Sequence, residues 1–131
     1  MGAITPPRPQ NPKVLVVKQC TMRLCGDNYP RAAILSQLEY WFEPSDKTGR
    51  PRASIYREGR LWVAKSSREF QIETCVSRQE QRTALEWLEA SGLVVRRKMV
   101  FQGRETNHFA LDIDRLHKLQ AAWLVEEFVL R

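Results

Sequence analysis

The sequence predicts an α+β fold in which helices alternate with β-hairpins and an additional helix follows at the C-terminus. Two serine-based helix starts lie close together in the middle of the chain, and apolar segments around them flank turn-forming residues. A length of 131 residues fits one domain with terminal extensions. We therefore divide the chain into a disordered, Pro-rich tail over residues 1–13, a domain over 14–113 and a C-terminal helix over 114–131.

The composition is typical of a soluble globular protein, with 43% hydrophobic and 27% charged residues. No apolar run approaches the ~18 residues that cross a bilayer, and the N-terminal tail lacks the apolar core of an export signal. The formal net charge of +6 favours a polyanionic partner. We expect a cytoplasmic protein with no membrane partner.

The three cysteines, Cys20, Cys25 and Cys75, form an odd set without a C-x-x-C pair or a histidine at zinc spacing. This pattern favours buried thiols in a reducing compartment. It predicts neither a disulfide framework nor a metal site.

The spacing of apolar residues predicts the first elements of the domain. The β-branched run over residues 14–17 suits a strand or a buried connector. From Pro30 onward, residues 31–42 place their apolar side chains on one helical face, which predicts a core helix. Apolar pairs within residues 55–63 flank the turn signal Glu58-Gly59 and predict a hairpin.

Two capping boxes then predict two consecutive helices. Ser66 with Glu69 opens a helix over about residues 67–74, and Ser77 with Glu80 opens a second helix that ends at Ser91-Gly92. The turn between them is about three residues long, as in a helix-turn-helix. The side chains expected to face the core are Phe70, Ile72 or Thr74, Val76 in the turn, Ala84, Leu85 and Leu88.

A second hairpin and a last helix complete the chain. Residues 93–101 and 106–113 alternate in polarity around a turn over 102–105. Asp114 can cap a helix that continues to about Leu130.

This order of elements is that of a winged helix-turn-helix with a β-hairpin wing. Residues 28–113 resemble the winged-helix N-terminal domain of phage and plasmid replication proteins, and are similar to regulators of the MarR type. The resemblance rests on the segments 32–41, 61–66, 85–93 and 109–111 together with the helix pair. It implies binding to origin or operator DNA, with replication proteins as further partners. Cys75-Val76 departs from the Gly-apolar turn common in that family.

The helix that begins at Ser77 carries the side chains expected to read double-stranded DNA. Arg78, Gln79 and Arg82 extend from its first turns, and Ser77 and Thr83 suit shorter contacts. Arginine can bind guanine with two hydrogen bonds and glutamine can bind adenine in the same way. The alternative is a charged helix face that is only solvated.

The second hairpin and the start of the first short helix add candidate phosphate contacts. Alternation along the strand sends at most two of the three cations at 96–98 to one face, so Arg104 near the turn is the best single candidate. Lys65 and Ser67 lie where helix amides commonly meet a phosphate. The hairpin candidates are Arg96, Arg97, Lys98 and Arg104.

Other function classes have less support in the sequence. We find no nucleophile with a base and no phosphate loop, and His108 and His117 fall on different predicted elements, so we expect neither an enzyme nor a cofactor. A winged helix used only for protein interaction would present an acidic or apolar recognition face. Replication initiation is the favoured role, with transcription regulation as the alternative that residue chemistry leaves open.

The last helix predicts a homodimer. Leu116, Leu119 and Trp123 suffice to dock it on its own domain. The remaining apolar side chains are Leu124, Val125, Phe128 and Val129, and we place Trp123, Leu124 and Phe128 in the dimer interface. The alternative is that this surface packs against a further C-terminal region.

Overall fold

The computed structural model describes residues 14–130, which form an α+β fold of five helices and one four-stranded antiparallel sheet. The predicted tail over residues 1–13 lies outside the described residues. In chain order the elements are α1 (Gln19–Leu24), α2 (Tyr29–Phe42), β1 (Ile55–Arg57), β2 (Arg60–Ala64), α3 (Ser67–Thr74), α4 (Arg78–Ala90), β3 (Val94–Phe101), β4 (Arg104–Leu111) and α5 (Ile113–Phe128).

The central helix α2 forms where its apolar spacing predicts a helix. Asn28 caps it by accepting a hydrogen bond from the Arg31 amide at 3.1 Å, and Pro30 occupies the first turn, where no intrahelical N–H is needed. The helix buries most of its length and packs against α3, α4 and β4. It therefore supports the whole α3–α4 pair.

The strand order β1-β2-β4-β3 gives the sheet two chemically different faces. Directly paired residues share a face, so Val94 with Leu111 and Arg96 with Phe109 point toward the helices. Val95 with Ala110 lies on the opposite, outer face. The helix-facing side joins the core, whose largest fully buried members are Ile34, Leu35, Leu38, Phe70, Leu88, Phe109 and Leu116.

The hairpin turn between β3 and β4 is tighter than its sequence indicated. The predicted turn covers residues 102–105, but Arg104 and Glu105 already belong to β4. Gln102 and Gly103 form a two-residue turn with φ values of 53° and 77°. Positive φ at both central positions matches the right-handed twist of the strands, and this geometry needs only two residues.

The two ends of the described chain refine two further predictions. Of the two alternatives for residues 14–17, the structure has a connector without strand geometry, in which Leu15 and Val17 pack partly buried against the core, and the short helix α1 that follows was not predicted. The cap of α5 is Asp112, which accepts a hydrogen bond from the Arg115 amide at 3.1 Å, so the helix starts before Asp114. Asp112 can cap because the last strand stops at Leu111, two residues earlier than predicted.

The cysteines are free thiols with different environments. Cys20 and Cys25 are buried as expected, and burial raises the pKa of Cys25 to about 11 although the Arg31 charge opposes the shift. Cys75 is exposed, contrary to the expectation, because it occupies the turn between α3 and α4 with φ at +60°. It therefore adopts the left-handed conformation that glycine favours at a helix C-terminus.

Candidate nucleic-acid interface

Helix α4 presents a polar face that is fixed at its N-terminus. Ser77 Oγ accepts a hydrogen bond from the Glu80 amide, and Glu80 Oε1 accepts one from the Ser77 amide, both at 3.2 Å. The inward side is buried through Gln81, Ala84, Leu85 and Leu88. The side chains left exposed on the outward side are Arg78, Gln79, Glu80, Arg82, Thr83 and Glu86.

Gln81 joins α3 to α4 by hydrogen bonds, a role that was not predicted from the sequence. Its Nε2 donates to the carbonyl oxygens of Ser67 and Val76, each at 2.9 Å, and its Oε1 accepts from Ser67 Oγ at 2.9 Å. The buried Gln81 amide and the carbonyl oxygens of Ser67 and Val76 thereby gain partners. Its position three and four residues before the buried Ala84 and Leu85 was the available signal.

A cleft of about 130 Å³ lies between α4 and the β3–β4 hairpin, and we name it the α4–hairpin cleft. Its lining brings together the guanidinium groups of Arg78, Arg82 and Arg96 with the Asn107 amide. Lys98 pairs with Asn107 in the sheet and therefore points to the same side of the hairpin. Positive charge is concentrated here, where an elongated polyanion could lie between helix and hairpin.

The cations of the cleft differ in how far they are neutralised. Arg96 Nε forms an ion pair with Glu89 Oε1 at 2.9 Å. Within residues 14–130, no ion pair engages Arg78, Arg82 or Lys98. These three charges are consequently the ones most available to an anionic ligand.

The outer face of the hairpin carries the remaining predicted cations. Arg97 Nη1 pairs with Glu58 Oε2 at 3.1 Å, and Arg57 Nη1 donates to the Val100 carbonyl oxygen at 2.7 Å. Arg104 pairs with Phe101 beside the turn and is exposed on this outer face. The structure therefore groups Arg96 and Lys98 with α4, and separates Arg97 and Arg104 from them.

Lys65, a predicted phosphate contact, lies at the bottom of the α4–hairpin cleft and is mostly buried. The Lys65 residue is 4% exposed, its ammonium group pairs with the Glu73 carboxylate, and it lies 4.4 Å from the centre of the Trp41 ring. The side chain points inward because Lys65 follows β2 on the helix-facing side. Ser67 donates its hydroxyl to Gln81, as described above. Both residues nevertheless line the α4–hairpin cleft, so their contact with phosphate stays a prediction.

A second cleft of about 310 Å³ adjoins the opposite edge of α4, between the N-termini of α2 and α4. It is lined by Asn28 and Arg31 from α2 and by Ser77, Gln79 and Thr83 from the α4 side. Arg31 stacks over the Trp87 ring at 4.5 Å. The contact between α2 and α4 joins segments that are distant in the chain, so no local sequence signal predicts it.

Glu39, Glu43 and His117 form a cluster. Each contributes one oxygen or nitrogen atom that could bind a metal ion, and these three atoms lie within 4.8 Å of one another. The Lys18 ammonium group already lies beside both carboxylates, because its Nζ is 2.9 Å from Glu39 Oε2 and 3.8 Å from Glu43 Oε1. Gln120 of α5 also donates to both oxygens of Glu39. The cluster therefore acts as a polar link between α2 and α5.

This link predicts acid sensitivity. Partial burial would raise the pKa of Glu43, but its hydrogen bonds with His117 and Glu39 and the charges of Lys18 and His117 outweigh burial and lower it. A carboxyl whose pKa is lower in the folded chain stabilises the fold above its ordinary value of 4.5 and loses this contribution at lower pH. Urea denaturation should show Glu43→Gln less stable than wild type at pH 6, with the difference shrinking below pH 4.5. A difference that stays constant down to pH 3 would contradict this assignment.

Two further findings bear on the whole chain. Among residues 14–130, no helix combines the length and apolarity that a bilayer crossing requires. Comparison with protein-family models, with curated proteins and with solved structures gave no match to this chain. The function proposed below therefore follows from the geometry of the described residues and from the resemblance noted in the sequence.

Proposed function

We propose that the domain is a winged helix that binds double-stranded DNA in the cytoplasm, with α4 as its recognition helix and the β3–β4 hairpin as its wing. The observation that carries this proposal is the α4–hairpin cleft, which Arg78 and Arg82 line. Lys98 lies on the same side of the hairpin, and none of the three has a carboxylate partner among residues 14–130. A helix with exposed polar side chains in its first turns can enter the major groove. The resemblance to replication proteins favours a role in replication initiation, and transcription regulation is the alternative.

Base reading and phosphate binding would fall to different residues. Arg78, Gln79 and Arg82 project from the first turns of α4, where guanine and adenine edges can be bound bidentately. Arg96 and Lys98 project from β3 toward the same cleft and suit the phosphate backbone. Exposed Arg104 beside the hairpin turn remains the candidate for a separate contact, on the outer face.

Chemical-shift mapping of the ¹⁵N-labelled chain with a duplex of random sequence tests this orientation. We expect the largest amide shifts in α4 and β3 and at the N-terminus of α2, because these segments line the two clefts beside α4. Shifts concentrated in α1 and α5 would place the ligand on the opposite side and contradict the proposal.

The register of the hairpin gives a prediction with an internal control. Lys98→Ala should weaken binding evenly across sequences and reduce the slope of log K against log salt by about 1, because a phosphate contact is lost. Arg97→Ala removes the same charge from the neighbouring residue, but Arg97 lies on the outer face and pairs with Glu58. Its effect on the salt slope should be smaller. Equal changes in both variants would show that the face of the hairpin does not matter.

We also propose that the protein acts as a homodimer through α5. Leu116 is fully buried, while Leu124 and Phe128 are 45% and 65% exposed in the single chain. The intermediate exposure of Trp123 places it at the border between the docked and the exposed parts of the helix. Two copies related by two-fold symmetry could read two half-sites about 34 Å apart, which would make a short contact specific.

A further inference from the structure

The turn of the β1–β2 hairpin lies against the outer face of the β3–β4 hairpin. Arg57 Nη1 donates to the Val100 carbonyl oxygen at 2.7 Å. Arg97 Nη1 pairs with Glu58 Oε2 at 3.1 Å, and Glu58 belongs to that turn. Arg57 and Arg60 are directly paired across the turn, so their side chains share one face of the β1–β2 hairpin. Arginines from both hairpins therefore meet at one surface. We name it the outer basic patch, and its members are Arg57, Arg60, Arg97 and Arg104.

The outer basic patch carries more positive charge than nearby carboxylates neutralise. All four arginines are exposed, and within residues 14–130 the pair of Arg97 with Glu58 is the single ion pair that engages them. Glu105 is adjacent to Arg104 in β4, but strand alternation directs it to the α4 side of the hairpin. Asp112 lines a cleft together with Arg60. Even with Asp112 set against Arg60, three guanidinium groups remain beside one carboxylate.

The pairing of Arg57 with Arg60 is electrostatically unfavourable in the free chain. Like charges directly opposite each other destabilise an antiparallel pair. The buried Trp62 nevertheless holds both residues in place: its Nε1 donates to the Arg57 carbonyl oxygen at 2.9 Å, and Arg60 Cζ lies 5.7 Å from the centre of its ring. A bound anion would remove the repulsion. Groups that are already ordered in the free chain also lose little conformational entropy on binding.

The surroundings of the patch favour phosphate groups over an acidic protein. Protein interfaces depend on apolar or aromatic anchors near their centre. The exposed apolar side chains closest to Arg57 in the two hairpins are Tyr56 and Val100, and strand alternation directs each of them away from the patch. Guanidinium groups bind phosphate oxygens with bidentate geometry. The patch therefore suits the backbone of a nucleic acid.

We propose that the outer basic patch binds the phosphate backbone of a second segment of double-stranded DNA, so that one chain holds two duplexes on opposite faces of the β3–β4 hairpin. Arg96 and Lys98 face the α4–hairpin cleft, whereas Arg97 between them faces the patch. Each surface contacts its own duplex, because DNA with a persistence length of about 150 base pairs does not bend around a hairpin. This inference rests on the proposed DNA binding and adds a second site to it.

Sedimentation velocity with an excess of a 12-base-pair duplex of random sequence at 50 mM KCl counts the duplexes bound per chain. We expect two for the wild type. The patch variants are Arg57→Gln with Arg104→Gln, and Arg60→Gln with Arg104→Gln, and the second of these spares the Arg57 hydrogen bond to Val100. Both should bind one duplex, with little change in affinity for it. The matched control, Arg23→Gln with Lys118→Gln, removes two charges from α1 and α5 and should still bind two. Circular dichroism verifies folding of all variants.

The count is made per chain, so it applies equally to a monomer and to the proposed homodimer. One duplex per wild-type chain, as a hairpin inserted into a groove of a single duplex would give, would overturn the second site and leave the first intact. Two duplexes in both patch variants would do the same. A control that also binds one duplex would show that net charge alone matters, and would likewise overturn the inference. A wild-type chain that binds no duplex would overturn the proposed DNA binding as well. The same runs without DNA report the mass of the chain, and a monomer at tens of micromolar would contradict the homodimer alone.

Discussion

Replacing Arg78 or Arg82 with alanine is expected to weaken binding to the preferred duplex by about 1–3 kcal/mol each, which corresponds to roughly 5- to 150-fold in affinity. Both guanidinium groups line the α4–hairpin cleft and project from the first turns of α4. A bidentate contact with a guanine edge contributes this much discrimination against other bases. The loss should therefore be larger for the preferred sequence than for random duplex, as measured by fluorescence anisotropy.

The control for this experiment removes the same charge from a different surface. Arg23 lies on α1 and pairs with Asp27 at 2.6 Å, away from the cleft residues. Arg23→Ala should change affinity little at moderate salt. If Arg78→Ala and Arg82→Ala weaken specific and random duplex equally, their contacts are to phosphate alone. If Arg23→Ala has the same effect, only net charge matters.

Phe70→Ala should lower the free energy of unfolding by about 3–5 kcal/mol. Phe70 is 1% exposed, and its ring meets Phe109 edge to face with centroids 5.2 Å apart. This contact fixes α3 against the sheet, and α3 in turn is bound to α4 through Gln81. Because natural domains are stable by only about 5–15 kcal/mol, the variant should lose a large part of its stability and unfold at a much lower urea concentration.

Ile72 provides the matched control on the same helix. The sequence left open whether Ile72 or Thr74 faces the core beside Phe70, but Ile72 is 69% exposed and Thr74 is 1% exposed. Ile72→Ala should change stability by less than about 0.5 kcal/mol. A similar loss in both variants would show that α3 packs in another orientation.

The elements with strong local signals were predicted correctly. Both capping boxes, at Ser66 and Ser77, form as expected, and Gly92 follows α4 with φ at +81°. A side chain at Gly92 would also approach Arg115 Nη1 to 2.7 Å. Capping and glycine conformation depend on neighbouring residues, and the sequence displays these directly.

Three features that the sequence did not reveal depend on contacts between distant segments. Helix α1 has no side-chain cap and only six residues, and it is held by packing against α2 and α5. Lys65 has the residue type of a phosphate contact, yet Glu73 and Trp41 hold it inside the fold. Gln81 appears in the sequence as one more polar residue of a charged helix. Tertiary packing determined all three outcomes.

For the candidate interface, the sequence shows residue types but not their arrangement. Residue type made Arg78, Gln79 and Arg82 candidates for DNA contact, and strand alternation predicted that the three cations at 96–98 could not share one face. Only the strand register assigns Arg96 and Lys98 to the α4 side. The cleft between the N-termini of α2 and α4 needed the three-dimensional structure, because its residues are about fifty positions apart in the chain.

Binding to a random 20-base-pair duplex at increasing KCl concentration tests the proposed DNA binding most directly. On a random duplex Arg78 and Arg82 contact phosphates instead of preferred base edges, so together with Lys98 and Arg96 they predict that log K falls linearly with log salt at a slope of about −3 to −4 per chain. Counterions are released from the duplex as these groups bind. The account predicts binding at 50 mM KCl that weakens with this slope. Absence of binding at 50 mM KCl, or an affinity that is independent of salt, would contradict it.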